Sequence, residues 1–209
     1  LVLAELALSV VLLSSAALLT RSVMEYTNWE PGFDRGPLLS MCAFLDPGGY
    51  ETQAEVTSVF QQAEELLEAI PGIVSASSAS AGPLFGGGDG ATPIAVEGDD
   101  PAGPLPTARW YDVGPGYFET LGLPMIRGRE FTEDDGPDAA QVAVVNESLA
   151  RRVWPDGNVL GRIISLPELE LSFEVVGVVA DAQPMVPGEA PYPEIYWSNR
   201  QRGRVATHF

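Results

Sequence analysis

The chain opens on twenty residues with almost no polar break, then alternates between strand-like and helix-like periods. LVLAELALSVVLLSSAALLT, residues 1–20, carries one charge, Glu5, among apolar and small hydroxyl side chains. As a helix this run rises about 30 Å, the thickness of a bilayer's hydrocarbon. Ala4, Ala7, Ser14, Ser15, Ala16 and Ala17 are of the small kind that lets membrane helices approach closely. Glu5 lies near one end, within reach of an interface or of other helices. A secretory signal would show an initiator Met, a basic leader and a shorter apolar core, and this run has none of them. A buried helix of a soluble domain is the remaining alternative. The reading carried forward is a transmembrane helix over 1–23, a linker over 24–37 and an exterior domain over 38–209. The run begins abruptly and the chain stops abruptly after VATHF. We therefore expect an excerpt of a longer membrane protein.

Past the helix, NWEPGFD (28–34) reads as a turn broken at Pro31-Gly32, and LLSMCAFL (38–45) as a strand. Over 53–70 the period changes. Val56, Phe60, Ala63, Leu67 and Ile70 recur at steps of three and four, predicting an amphipathic helix with Glu64, Glu65 and Glu68 outside its apolar face. Pro71-Gly72 ends it, and IVSASSAS (73–80) reads as the next strand, which makes a β-α-β unit. After a loop-like stretch, IAVEG and ARWYDV read as two short strands. QVAVVNESLARRVWPDG reads as strand, cap, helix and stop. Asn146 is the cap, Leu149, Val153 and Trp154 form the apolar side, and Pro155 and Gly157 terminate it. GRIISL, FEVVGVVADA and PEIYWS supply further strands. Strands mixed with few helices and hairpin-length loops predict an α+β fold rather than a doubly wound sheet.

Charge narrows the partners. The formal net charge is −18, and all 11 basic residues are Arg. Such a surface repels phosphate backbones, so no nucleic-acid partner is expected. The acidity also mildly favours an exterior location for the part after the helix. The single cysteine, Cys42, sits in an apolar run and reads as a small core residue.

Four stretches invite a chemical reading. In YDVGPGYFETLGLPMIRGREF (111–131) the glycines fall at Gly114, Gly116 and Gly122. A dinucleotide fingerprint needs its third glycine three residues after the second, not six. Gly122 stands where a helix C-terminal glycine belongs, so the loop reads as fold punctuation. FGGGDG (85–90) lacks the Lys-Ser/Thr of a phosphate loop and reads as an exposed loop. EDDGPD brings Glu133, Asp134, Asp135 and Asp138 together without the register of a calcium loop, and reads as a solvated turn. His208 is the only histidine, no G-x-S-x-G elbow occurs, and no His/Cys cluster has metal spacing. No catalytic, cofactor-binding or metal-ligating residue is assigned, and no cofactor is expected.

DVGPGYFETLGLPMIRGREFTEDD, then VAVVNESLARRVWPDGNVLGRII, then FEVVGVVADAQ together resemble the MacB-like periplasmic core domain of ABC-transporter permeases. The resemblance is nearest to the duplicated orphan permeases with FtsX-type membrane helices (the ADOP group). The leading apolar run resembles the membrane helix that precedes this domain. The resemblance implies an α+β exterior module of two subdomains, on the outer side of the cytoplasmic (inner) membrane after about residue 23. It implies that ATP-driven motion of membrane helices is coupled to export or release of a substrate. ATP hydrolysis would then belong to a separate ABC ATPase subunit. The other implied partners are a second permease half or copy, the lipid bilayer, and an exported substrate or envelope partner. Two other readings stay open: a membrane-anchored binding or adaptor module without transport activity, and an anchored hydrolase.

Overall fold

The computed structural model describes residues 2–27, 32, 36, 38–45, 49–50, 52–81, 90–96, 105–183, 189–201 and 206–208. Helix α1 spans Val2–Thr27. Its apolar stretch, Val2–Met24, has a mean hydropathy of 2.2, and none of its most apolar window is buried against the rest of the chain. At about 1.5 Å per residue it is long enough to cross the hydrocarbon. Three of its hydroxyls are satisfied within the helix: Ser9, Ser14 and Thr20 each donate to the carbonyl four residues back, at 2.8 Å. A hydroxyl bonded in this way exposes no unpaired donor to lipid.

The remaining elements, in chain order, are β1 (Cys42–Phe44), α2 (Gln53–Glu68), β2 (Ala91–Pro93), β3 (Ala95–Val96) and β4 (Thr107–Val113). They continue with α3 (Tyr117–Leu121), β5 (Met125–Gly128), β6 (Val142–Asn146) and α4 (Glu147–Val153). The last are β7 (Ile163–Leu166), β8 (Leu171–Val179), β9 (Glu194–Ser198) and β10 (Ala206–His208). Eight strands form one sheet in the order β2-β4-β9-β6-β8-β7-β3, with β5 on β8. The pairs β4–β9 and β6–β8 are parallel and the others antiparallel. This is the expected α+β class. Strands β1 and β10 make a separate antiparallel pair.

Alternation along the central strands divides the core in two. Trp110, Ala143, Val145, Ile195 and Trp197 face the side covered by α4. Tyr111, Val113, Val144 and Tyr196 face the side covered by α3. A register shift between Ala143 and Val144 sets two residues of β8 against one of β6. A bulge of this kind re-aims the strand beyond it, so Val175 and Val178 lie on the same face although three apart. The punctuation reading of 111–131 holds. Gly116 and Gly122 flank α3 in the left-handed region, at φ 72° and 69°, while Tyr117, Phe118 and Leu121 are buried. Asn146 caps α4 as expected, accepting from the Leu149 amide at 2.9 Å.

Other expectations are corrected. The strand expected over 38–45 shortens to three residues paired with β10, outside the main sheet, and Cys42 is exposed rather than core. The 73–80 segment is not a strand: only Ala79 forms a bridge, to Val113, and β4 ends at that residue. With no strand there and β1 paired elsewhere, the β-α-β unit does not form. Helix α2 is present, with a full capping box between Thr52 and Glu55. Val56 and Phe60 are buried on it, but Ile70 is exposed and Glu64, placed outside the face, is buried.

Candidate functional site

The glycine-rich stretch 85–89 lies outside the described residues. The EDDGPD turn is only partly solvated. Asp135 is buried and accepts from both Arg129 Nη1 (2.6 Å) and Nη2 (2.8 Å), and from the Thr132 amide. The Arg129 hydrogen bonds hold its carboxyl below the ordinary value. An acidic side chain closed by a guanidinium fork is a structural tie, not an open cation ligand. His208 stands opposite Cys42 in backbone register. Among the described residues no group of three His, Cys, Asp or Glu side chains is placed to hold a metal.

The structure gathers instead three polar joints that fasten segments far apart in sequence. The first joins α2 to the turn after β9. Glu64 Oε1 accepts from the Ser78 amide (3.0 Å) and hydroxyl (2.5 Å), while Arg200 Nη2 reaches Glu64 Oε2 at 3.3 Å. The same nitrogen reaches the exposed Glu133 at 3.1 Å, and Asn199 Nδ2 donates to Ser78 Oγ at 2.9 Å. Burial pushes the Glu64 carboxyl up, against the pull of Ser78 and Arg200.

The second joint lies on the α3 face of the sheet. Glu194 opens β9 and is buried under two phenols. Tyr196 donates to its Oε2 at 2.6 Å and Tyr111 to its Oε1 at 3.3 Å. Asn146 Oδ1 accepts from the Glu194 amide at 3.0 Å, and Asn146 Nδ2 donates to the Tyr192 carbonyl at 2.7 Å. Burial pushes the Glu194 carboxyl up to about 7, although both phenols and the nearby Arg109 favour the ionised form. Arg109 itself lies over the Tyr192 ring, 3.6 Å from its centroid.

The third joint binds the end of β8 to the first turn of α4. Asp181 Oδ1 accepts from the Ser148 amide, and Oδ2 from the Ser148 hydroxyl, both at 2.8 Å. Arg151 Nη2 adds a third donor to Oδ2 at 2.7 Å. The Ser78 and Ser148 hydroxyls are bound to carboxylates, and each carboxylate also takes a backbone amide and an arginine. Their chemistry is that of fasteners, which hold or release segments of backbone.

Sequence reading missed Glu64, Asp181, Glu194 and Arg200. Glu64 and Arg200 are 136 residues apart, beyond any local period. A local trace did exist for Glu194, a carboxylate opening an otherwise apolar strand.

The MacB-like periplasmic core domain family model matches residues 10–201. Over 77 residues the chain is 36% identical to the macrolide export ATP-binding/permease protein MacB of Aggregatibacter actinomycetemcomitans, covering 37% of this chain and 12% of that protein. Over 89 residues it is 30% identical to the uncharacterized ABC transporter permease YvrN of Bacillus subtilis, covering 41% of this chain and 21% of that one. Two solved structures share the fold. The periplasmic region of MacB from Actinobacillus actinomycetemcomitans superposes with a TM-score of 0.52 at 20% identity, over 85% of this chain and 74% of that one. The extracellular domain of the noncanonic ABC-type transporter YknZ from Gram-positive bacteria superposes at 0.51 with 14% identity, over 81% and 82%.

Proposed function

Since this chain belongs to the MacB-like periplasmic core domain family, we propose that it couples ATP-driven movement of membrane helices to export or release of a substrate. Residues 1–23 lie in the inner membrane, 24–37 form the linker, and 38–209 stand on its outer side. ATP hydrolysis belongs to an ABC ATPase subunit, and the other permease half or a second copy completes the transporter. The observation that carries this reading is α1. An apolar helix with none of its most apolar window buried in the protein has lipid as its natural solvent, and the family match begins within it.

The domain suits such a role because polar joints, beside its two apolar clusters, fasten segments far apart in sequence. Hydrogen-bonded joints have defined geometry and exchange partners readily, which is what a part with two arrangements requires. The test uses the full-length permease with its ATPase in nanodiscs, on a Cys42→Ser background. Spin labels placed through Ser22→Cys on α1 and Glu65→Cys on α2 report the separation of the two helices. The coupling reading expects the distance distribution to shift between ADP and ATP. Identical distributions would leave the anchored binding module as the better account.

A further inference from the structure

Arg109 and Glu194 are neighbours by register. Strands β4 and β9 run parallel, with Arg109 opposite Glu194 and Tyr111 opposite Tyr196. Strands paired in this way lie about 4.8 Å apart, so both side-chain pairs stand side by side on the α3 face. Yet among the described residues Arg109 makes no ion pair with Glu194. Its guanidinium lies instead over the ring of Tyr192, which is 37% exposed. The groups facing Glu194 come from every neighbouring element: Arg109 and Tyr111 from β4, Tyr196 from β9, Tyr117 from α3, and Asp181 after β8. Asn146, at the end of β6, adds an amide at 3.5 Å. Arg109 favours an ionised Glu194 and Asp181 opposes it, while burial pushes the three phenols up and keeps them neutral. Glu189 lies on the far side of Tyr192, accepting from its hydroxyl at 2.9 Å.

From this register we infer that Arg109 is a two-position arm, resting on Tyr192 while Glu194 is protonated and turning onto Glu194 when it ionises, so that the pH around the domain sets whether the Tyr192 ring is covered. The inference goes beyond the coupling reading and does not rest on it. A protonated Glu194 offers the arm no charge, and the electron-rich face of the ring is then the better seat. Once ionised, Glu194 is a buried charge with phenol and amide donors but no cation paired to it. Leaving such a charge unpaired costs more than lifting a half-buried guanidinium from a ring. The exchange is a side-chain rotation, because the backbone around it is tied. The Arg109 amide donates to the Pro193 carbonyl at 2.9 Å, and Asn146 Nδ2 to the Tyr192 carbonyl at 2.7 Å. Burial of the Glu194 carboxyl, which pushes it up to about 7, places the exchange near neutrality.

The experiment uses the full-length permease in nanodiscs, with 4-fluorophenylalanine incorporated in place of Tyr192. That residue keeps the ring face and removes the ionisable hydroxyl of its own. Fluorine NMR across the neutral pH range is expected to show its resonance moving in one step centred near pH 7. Glu194→Gln, close in shape to the protonated acid, is expected to hold the low-pH position throughout. Arg109→Gln is expected to remove the step, since no arm is left to move. Should that variant fail to fold, Arg109→Lys serves: an ammonium stacks less well on a ring than a guanidinium, and the step is expected to shrink at least twofold. Glu64→Gln removes the other carboxyl that burial raises and is expected to leave the step in place. A resonance indifferent to pH in the parent, a step that survives Glu194→Gln or vanishes in Glu64→Gln, or a full step without the Arg109 guanidinium overturns the arm. None of these readouts involves nucleotide, so the coupling reading stands or falls separately.

Discussion

The two faces of the sheet bury their aromatic side chains in opposite ways. On the α4 side, Phe173 stacks on Trp197 with ring centroids 5.1 Å apart, and Trp197 stacks on Trp110 at 4.7 Å. A polar contact there is the Trp197 indole N–H donating to Asp112. On the α3 side, Tyr111 stacks on Tyr196 at 5.3 Å and Phe118 meets Tyr196 edge-on at 4.9 Å. There the phenols converge on Glu194, and the chain nearby runs into the Glu64–Arg200 joint. On the α4 face the aromatic rings are held by packing, which does not itself titrate. The other is held partly by groups that titrate or exchange partners, so any response to conditions is expected there.

The largest expected effect sharpens this contrast from the packed side. Phe173→Ala empties a fully buried site and is expected to destabilise the domain by about 4 kcal/mol, as phenylalanine truncations in cores do. Denaturant unfolding in detergent, followed by tryptophan fluorescence, measures it. The loss should be the same at pH 5 and pH 8. A strong pH dependence would blur the distinction between the faces.

Next is Arg200→Met, which leaves Glu64 buried without its cation. Removing one partner of a buried pair costs about 3 kcal/mol or more. Here Glu64→Gln in the same chain should recover much of the loss, since the uncompensated charge is then gone. No recovery would mean that Arg200 acts by packing alone.

The Glu194 prediction is of similar size but appears as a slope. Its folded value of about 7 lies above the ordinary 4.5, so the folded chain holds this proton more tightly than the unfolded chain does. Its stabilising contribution is complete below the ordinary value and is lost as pH rises through about 7. The difference amounts to about 3 kcal/mol. Unfolding free energy should therefore rise on going from pH 8 to pH 5, and Glu194→Gln should flatten most of that rise. Glu64, also raised by burial, contributes in the same direction. An unchanged slope in Glu194→Gln would move the titrating group elsewhere.

The smallest effect is Asn146→Ala, which removes the α4 cap and the bonds to Tyr192 and Glu194. About 1–2 kcal/mol is expected, measured by the same unfolding curves. It bridges the comparison, because Asn146 belongs to both the helix on one face and the polar joint on the other.

The stretch from Val142 to Val179 was almost fully legible in sequence because its signals are local. Apolar runs mark β6 and β8, Asn146 marks the cap, and Pro155 and Gly157 mark the stop. The C-terminal glycine of α3, Gly122, was legible for the same reason. The 38–81 stretch was not. Residues 73–80 have the composition of a strand, but a strand needs a neighbour, and β4 ends at Val113 where they would pair. Cys42 lies in an apolar run in sequence, yet its strand pairs with β10, outside the eight-stranded sheet. The joints were least legible of all. Glu64 is buried because Arg200 and Ser78 meet it in the fold, and helical periodicity carries no record of them.

The account depends on α1 lying in lipid while the acidic domain stands in water. Site-directed spin labelling in nanodiscs, with Leu12→Cys on α1 and Glu65→Cys on α2, tests this most directly. The account predicts that lipid-dissolved oxygen relaxes the Leu12 label while a water-soluble nickel chelate does not, with the order reversed at Glu65. A Leu12 label reached by the chelate, or shielded from both relaxants by protein, would contradict it.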